Sequence, residues 1–175
     1  MSGPRTSHWP LVTGCLSQRY QKEILEEMPE VDGLWVSPLM RCRQTAELLF
    51  PGMEQHIVPD LQECDFGDYE CKTWEELKDE EIYRAWIGGD MTITFPHGES
   101  MEHFIARCRR GIQTVAQEAK AMGLQRPAIV AHGGTWLVVM GRPERRLYDW
   151  QVKNCGGFRV SVQENPFTLK LLEEL

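Results

Sequence analysis

Short apolar runs alternate along this chain with stretches of helical periodicity, and that alternation limits the fold more than any other feature. "GLWV" (33–36), "HIVP" (56–59) and "PAIVAH" (127–132) read as strands, the last one buried. Between them, 38–50 reads as a helix whose core face is Leu39, Cys42, Ala46 and Leu49. Ser100 caps a long helix with Phe104, Cys108, Ile112, Val115, Ala119 and Met122 in one stripe, ended by Gly123. "CLSQRYQKEILEEM" (15–28) and "GGTWLVVMG" (133–141) are further helices. Residues 60–91 begin as a loop and continue as a helix holding Trp74, Leu77, Ile82 and Trp86. "FRVSVQENPFTLKLL" (158–172) is a hairpin of two alternating strands. Strands alternating with helices imply a mostly parallel sheet covered on both faces, and such sheets bind ligands beyond the carboxyl ends of their strands.

The residues at those ends gain meaning from this. "GLWV" runs into Ser37 and Pro38, read as N-cap and first helical position, and delivers Arg41 one turn later. "AIVA" ends at His132, followed by Gly133, Gly134 and a helix start. The segment after "HIVP" ends near Glu63. Arg41 and Arg43 lie about 200° apart around a helix, so they serve different sites. Arg43 stands four residues before Glu47, which suits an exposed pair. Arg41, at a helix N-terminus with free N–H groups, is equally well read as a phosphate clamp or a surface arginine. Singly, His132 is a turn histidine and Glu63 a loop acid; shared strand-end position makes them a candidate site.

Composition removes other classes. The 175 residues, 42% hydrophobic and 26% charged, suit one domain over 1–175. A net charge of −7 without a basic stripe argues against nucleic acid. Cysteines 15, 42, 64, 71, 108 and 155 show no zinc spacing, and read as reduced thiols of a cytoplasmic protein. No signal peptide, membrane span or metal-ligand cluster is present in the sequence, so neither a membrane, a metal nor a cofactor is expected. "GESME" lacks the last glycine of a nucleophile elbow, which sets a serine hydrolase aside.

Four segments, "VSPLMRCRQTAELL", "LQECDFGDYECKTWEEL", "FPHGES" leading to a helix with Arg107, and "IVAHGGTWLVV", stand in an order and spacing that resembles the histidine phosphatases (phosphoglycerate mutase-like superfamily), nearest to their α-ribazole phosphatase branch. The resemblance implies a three-layer α/β/α fold and a pocket for one phosphoryl group of a small phosphorylated molecule or of inorganic phosphate. By resemblance, Arg41 clamps phosphate oxygens, His132 hydrogen-bonds the phosphoryl group and Glu63 protonates the leaving alcohol. Glu99 and Ser100 lie in the loop bordering the substrate. His97 and Cys71 stand where relatives tend to have glycine.

One element of the resemblance is missing. The family's nucleophile is the histidine of an Arg-His-Gly motif at the end of the first strand, and this sequence has no such motif. "GPRTSHWPL" is similar to the Gly-x-Thr-Asp-x-Pro-Leu stretch beyond that strand, and Pro10 precedes Ser37 by 27 residues, as in that stretch. The expected fold therefore lacks the family's first strand, its place left to another segment, another chain, or residues upstream. Neither His8 nor His97 falls in the right element to replace the nucleophile. Two functions follow: a phosphatase of small phosphate monoesters whose nucleophile is absent here, or a protein that binds phosphorylated ligands without turnover. A sugar-phosphate mutase is a weaker third.

Overall fold

The computed structural model describes residues 7–13, 28–140, 156–164 and 166–174. The helix expected over 15–28 lies almost wholly outside them. Six strands, β1 (Ser7–Thr13), β2 (Gly33–Val36), β3 (Gln55–Ile57), β4 (Pro127–Ala131), β5 (Gly157–Glu164) and β6 (Phe167–Glu174), form one sheet in the order β3-β2-β4-β1-β5-β6. β3, β2, β4 and β1 run parallel; β5 and β6 close the other side antiparallel. The helices are α1 (Met40–Leu49), α2 (Trp74–Leu77), α3 (Glu81–Ile87), α4 (Met101–Ala121) and α5 (Gly133–Met140), with 3-10 turns at Pro59–Leu61 and Gly67–Tyr69.

Period-two alternation assigns the strand side chains to two cores. Leu34, Val36, Ala128, Val130 and Val12 pack with Cys42, Ala46 and Leu49 of α1. Trp35, Ile129 and Ala131 point the other way, onto Ile112, Val115 and Ala119 of α4 and Trp136 of α5. Both faces are thus covered, which gives three layers. Among the described residues, no helix is long and apolar enough to cross a membrane.

Of the three ways to fill the missing strand's place, the structure shows the first: another segment, Ser7–Thr13, is a strand between β4 and β5. An empty slot would leave the backbone groups of both neighbours without partners. Pro10 is unusual in a central strand. Parallel pairing to β4 involves only Leu11, Val12 and Thr13, beyond the proline.

Smaller departures have local causes. α1 begins at Met40 rather than at Pro38, because Leu39 is extended (φ −68°, ψ 138°). The helix expected through Trp74 and Trp86 is two helices separated at 78–80. Met122 ends the α4 stripe but is 54% exposed, being the C-cap rather than a core position. Gly123, at φ +75°, terminates that helix as its left-handed residue.

Cys71 (φ +60°) and His97 (φ +54°) are the non-glycine residues with left-handed backbone among those described. They are also the two positions where the resembling proteins tend to carry glycine. A side chain in this conformation costs about 1–2 kcal/mol, of which glycine's freer unfolded chain returns a part. Cys71→Gly is expected to stabilise the fold by about 0.5–1 kcal/mol. The check is urea unfolding, with a raised midpoint and an unchanged slope; a lowered midpoint contradicts the strain.

Candidate active site

Three parallel strands deliver the site to one rim. Val36 pairs with Val130 and Thr13 with Ala131, so the chain leaves β2, β4 and β1 side by side. Ser37 follows β2 and donates its N–H to Val130 O at 2.9 Å. His132 follows β4. From β3, Val58 N–H bonds Val36 O at 3.0 Å, and the 3-10 turn at Pro59–Leu61 carries the chain on to Glu63.

His132 is 2% exposed and its ring is held on both nitrogens. Arg41 Nε–H donates to Nδ1 at 3.2 Å. A guanidinium cannot accept, so Nδ1 presents its lone pair and the neutral ring carries its proton on Nε2. That Nε2–H donates to Ser37 Oγ at 2.7 Å, and the same oxygen accepts Leu39 N–H at 3.4 Å. Ser37 is therefore the partner of His132 and not the cap of α1. Cys42 Sγ lies 3.5 Å from Nε2 and donates to Ala131 O at 3.2 Å. Burial, then the Arg41 and Arg107 charges, lower the His132 pKa to about 3.

Glu63 Oε2 is 4.0 Å from His132 Nδ1. With the imidazole neutral this is not an ion pair. Glu63 Oε1 accepts Cys64 N–H at 3.0 Å, and Gly134 N–H at the start of α5 also bonds the carboxylate. Glycine at 134 leaves room for the Glu63 carboxylate, which a Cβ there would push aside. Burial raises the Glu63 pKa above the usual carboxylate value, against the two backbone bonds and the Arg41 and Arg107 charges. Such a carboxyl is suited to holding and donating a proton. Ser37, His132 and Glu63 superficially resemble a serine triad. The tautomer opposes it: Nε2, facing Ser37, is the protonated nitrogen and cannot take the hydroxyl proton.

Arg41, Glu63 and His132 are thus brought together, while Arg43 points away and is exposed. Glu99 and Ser100 stand in the loop that leads into α4. Ser100 Oγ caps α4 by accepting His103 N–H at 3.2 Å. Glu99 accepts a two-pronged bond from Arg107, Nε to Oε1 and Nη2 to Oε2, both at 2.7 Å. Its side chain is 8% exposed and faces Arg107. His8 pairs with Ser161, five residues or about 16 Å before the carboxyl end of β1. His97 is at the surface, with Nδ1 2.9 Å from Asp68 Oδ2.

The loops around Glu63 are clasped together. Asp68 N–H bonds Pro96 O at 2.9 Å, and Glu99 N–H bonds Asp65 O at 2.8 Å. Gly67 (φ +53°) has no room for a Cβ against Pro96 and Gly98. Beneath, Phe66 meets Phe95 and Trp86 edge-on at 5.0 and 5.4 Å. Sequence reading missed Ser37 as a histidine partner and gave Arg107 no role. Arg107 lay in plain view, an arginine on the buried face of α4 between Phe104 and Gly111. Such a residue requires acceptors.

The site implies a pH dependence of stability. The His132 value of about 3 lies below its ordinary 6.5, so between them the unfolded chain binds the extra proton. Stability is expected to fall as pH drops through that window, with a slope approaching about 1.4 kcal/mol per pH unit. Glu63 acts in the opposite sense: its raised value favours the folded state below pH 4.5, and this is lost as pH rises through the folded value. Urea unfolding across the histidine window checks the first effect. His132→Gln should flatten the acid slope, and an equal slope in both proteins contradicts the assignment.

The model of the histidine phosphatase superfamily (branch 1) matches residues 15–175. The adenosylcobalamin/alpha-ribazole phosphatase of Salmonella typhimurium is 29% identical over 171 residues, which cover 93% of this chain and 83% of that protein. The crystal structure of the alpha-ribazole phosphatase from Shigella flexneri is similar with TM-score 0.71 at 23% identity, over 94% of this chain and 95% of that one. The phosphoglycerate mutase from Bacillus anthracis is similar with TM-score 0.80 at 14% identity, over 97% and 93%. The two structures speak for the fold. With this sheet, and with the family's sequence pattern matched over nearly the whole chain, the protein belongs to the histidine phosphatase superfamily, branch 1.

Proposed function

We propose that this chain binds a small phosphate monoester, or inorganic phosphate, weakly near Arg41 and His132, and hydrolyses it poorly. The observation that carries the reading is an arginine and a proton-holding carboxyl gathered on a neutral histidine, beside a central strand that ends without a histidine. The family's Arg-His-Gly motif is absent from the sequence. In the family's route, that histidine attacks phosphorus, the acid protonates the leaving alkoxide, and water releases the phosphohistidine. Here Glu63 has the acid's place, but nothing described has the attacker's. His132 is a poor substitute, because its one lone pair receives the Arg41 N–H.

Binding needs less. Arg41 is exposed and offers its guanidinium to an anion. The relatives named α-ribazole phosphatases support an α-ribazole phosphate-like or sugar phosphate ligand. The raised Glu63 pKa favours a second reading, a working phosphatase with an attacker outside the described residues. For a mutase the support is a likeness of fold alone.

The test is a titration with inorganic phosphate beside a turnover assay on p-nitrophenyl phosphate. Saturable phosphate binding with little turnover is expected. Arg41→Ala should weaken binding about tenfold or more, the worth of a charge-assisted hydrogen bond. Arg43→Ala should leave binding intact and change stability by no more than about 0.5 kcal/mol. Absence of phosphate binding refutes the proposal. Robust turnover by the unmodified chain supports the phosphatase reading, and its loss in His132→Ala would make that ring essential.

A further inference from the structure

We infer that Arg107, with Glu99 as its counter-ion, is a positioning residue for the Glu63 carboxyl. This rests on the reading of Glu63 as the proton donor of the site. Arg107 never reaches the rim itself. It stands on the core-facing side of α4, and its guanidinium spends all five N–H groups. Nε and one Nη2 proton hold the two oxygens of Glu99. Nη1 donates to Asp60 O at 3.1 Å and to Gln62 O at 2.6 Å. The other Nη2 proton goes to Glu63 O at 2.8 Å. One planar fork thus fixes three backbone carbonyls of the segment that ends at Glu63, and the ring of Phe104 supports its face, 4.9 Å away.

The geometry leaves little slack between fork and carboxyl. The Glu63 carbonyl is held by Arg107, while its carboxylate is held by the N–H groups of Cys64 and Gly134. The residue is pinned at both ends, with the carboxyl turned toward His132. α4 also lies directly on the preceding turn: a Cβ at Gly111 would come within 2.8 Å of Leu61 Cδ2. An arginine withdrawn from water is costly unless every donor is met, and here every donor is met by the loop that carries the acid or by Glu99. A lysine keeps the charge but offers three donors from one point, and cannot span Glu99 and three carbonyls together. Glu99 is bound in turn to the same loop, through Asp65 N–H at 3.4 Å, and to His103 Nδ1 at 2.6 Å.

The readout is the titration midpoint of Glu63, followed by carboxyl-carbon NMR on the full chain. In Arg107→Lys the positive charge near Glu63 is retained and only the fork is lost. The loosened loop should admit water to the carboxyl, and the midpoint should move down toward the ordinary carboxylate value by about one pH unit. Glu99→Asp also preserves charge while shortening the counter-ion, and should move the midpoint in the same direction by less. Ile112→Val, a core change on the same helix that touches no donor, should lower stability without moving the midpoint. An unmoved midpoint in folded Arg107→Lys overturns the inference, as does an equal shift in Ile112→Val. If Arg107→Lys does not fold, an unmoved midpoint in Glu99→Asp overturns it. Phosphate affinity of the unmodified chain is measured alongside: its absence refutes the proposed function, whereas the Glu63 midpoints decide this inference.

Discussion

Everything at the rim depends on β4 being paired on both sides, with β2 on one and β1 on the other. Parallel pairing with β2 places Ser37 beside the end of β4, and parallel pairing with β1 brings Thr13 level with Ala131. His132 then emerges between two neighbours and under α1, with water removed from most of its surface. Desolvation is the largest influence on its pKa, and a ring that stays neutral must satisfy two nitrogens with one proton. Arg41 supplies the donor and Ser37 the acceptor. The strand register thus determines the protonation state of the site.

Two arginines divide the work around that ring. Arg107 is buried, its charge met by the Glu99 carboxylate, and all its hydrogen bonds are made inside the protein. Arg41 spends one bond on His132 and keeps an exposed guanidinium end. The first is spent inside the protein and the second is open to solvent. Glu63 lies between them, held by backbone N–H groups and resisting ionisation through burial. In the proposed function an anion would meet the Arg41 charge beside a neutral ring and a carboxyl that can hold its proton.

Much of this was legible from residue types in order. The alternation of strand and helix gave the parallel sheet, and the residues following each strand included Arg41, Glu63 and His132. What was not legible depended on contacts distant in sequence. That 7–13 fills the central place depends on its pairing with β4 and β5. Ser37 looked like a helix cap because Ser-Pro before a helix usually is one. Its partner, His132, is 95 residues away. The Glu99 bond to Arg107 is likewise visible only once α4 folds back over the loop. Cys71 and His97 are the reverse case. Sequence marked them as unusual, and the positive φ at each supplies the physical cause.

The central claim is that His132 is a neutral ring committed on both nitrogens, and so a support for Arg41 and not a replacement nucleophile. Nitrogen NMR of the histidine side chains, through long-range couplings to the ring protons, tests it most directly. The account predicts that His132 carries its proton on Nε2, with Nδ1 as a hydrogen-bonded acceptor, and keeps that form well below the ordinary histidine pKa. A His132 ring protonated on Nδ1, or one that becomes fully charged near its ordinary value of 6.5, would contradict the account.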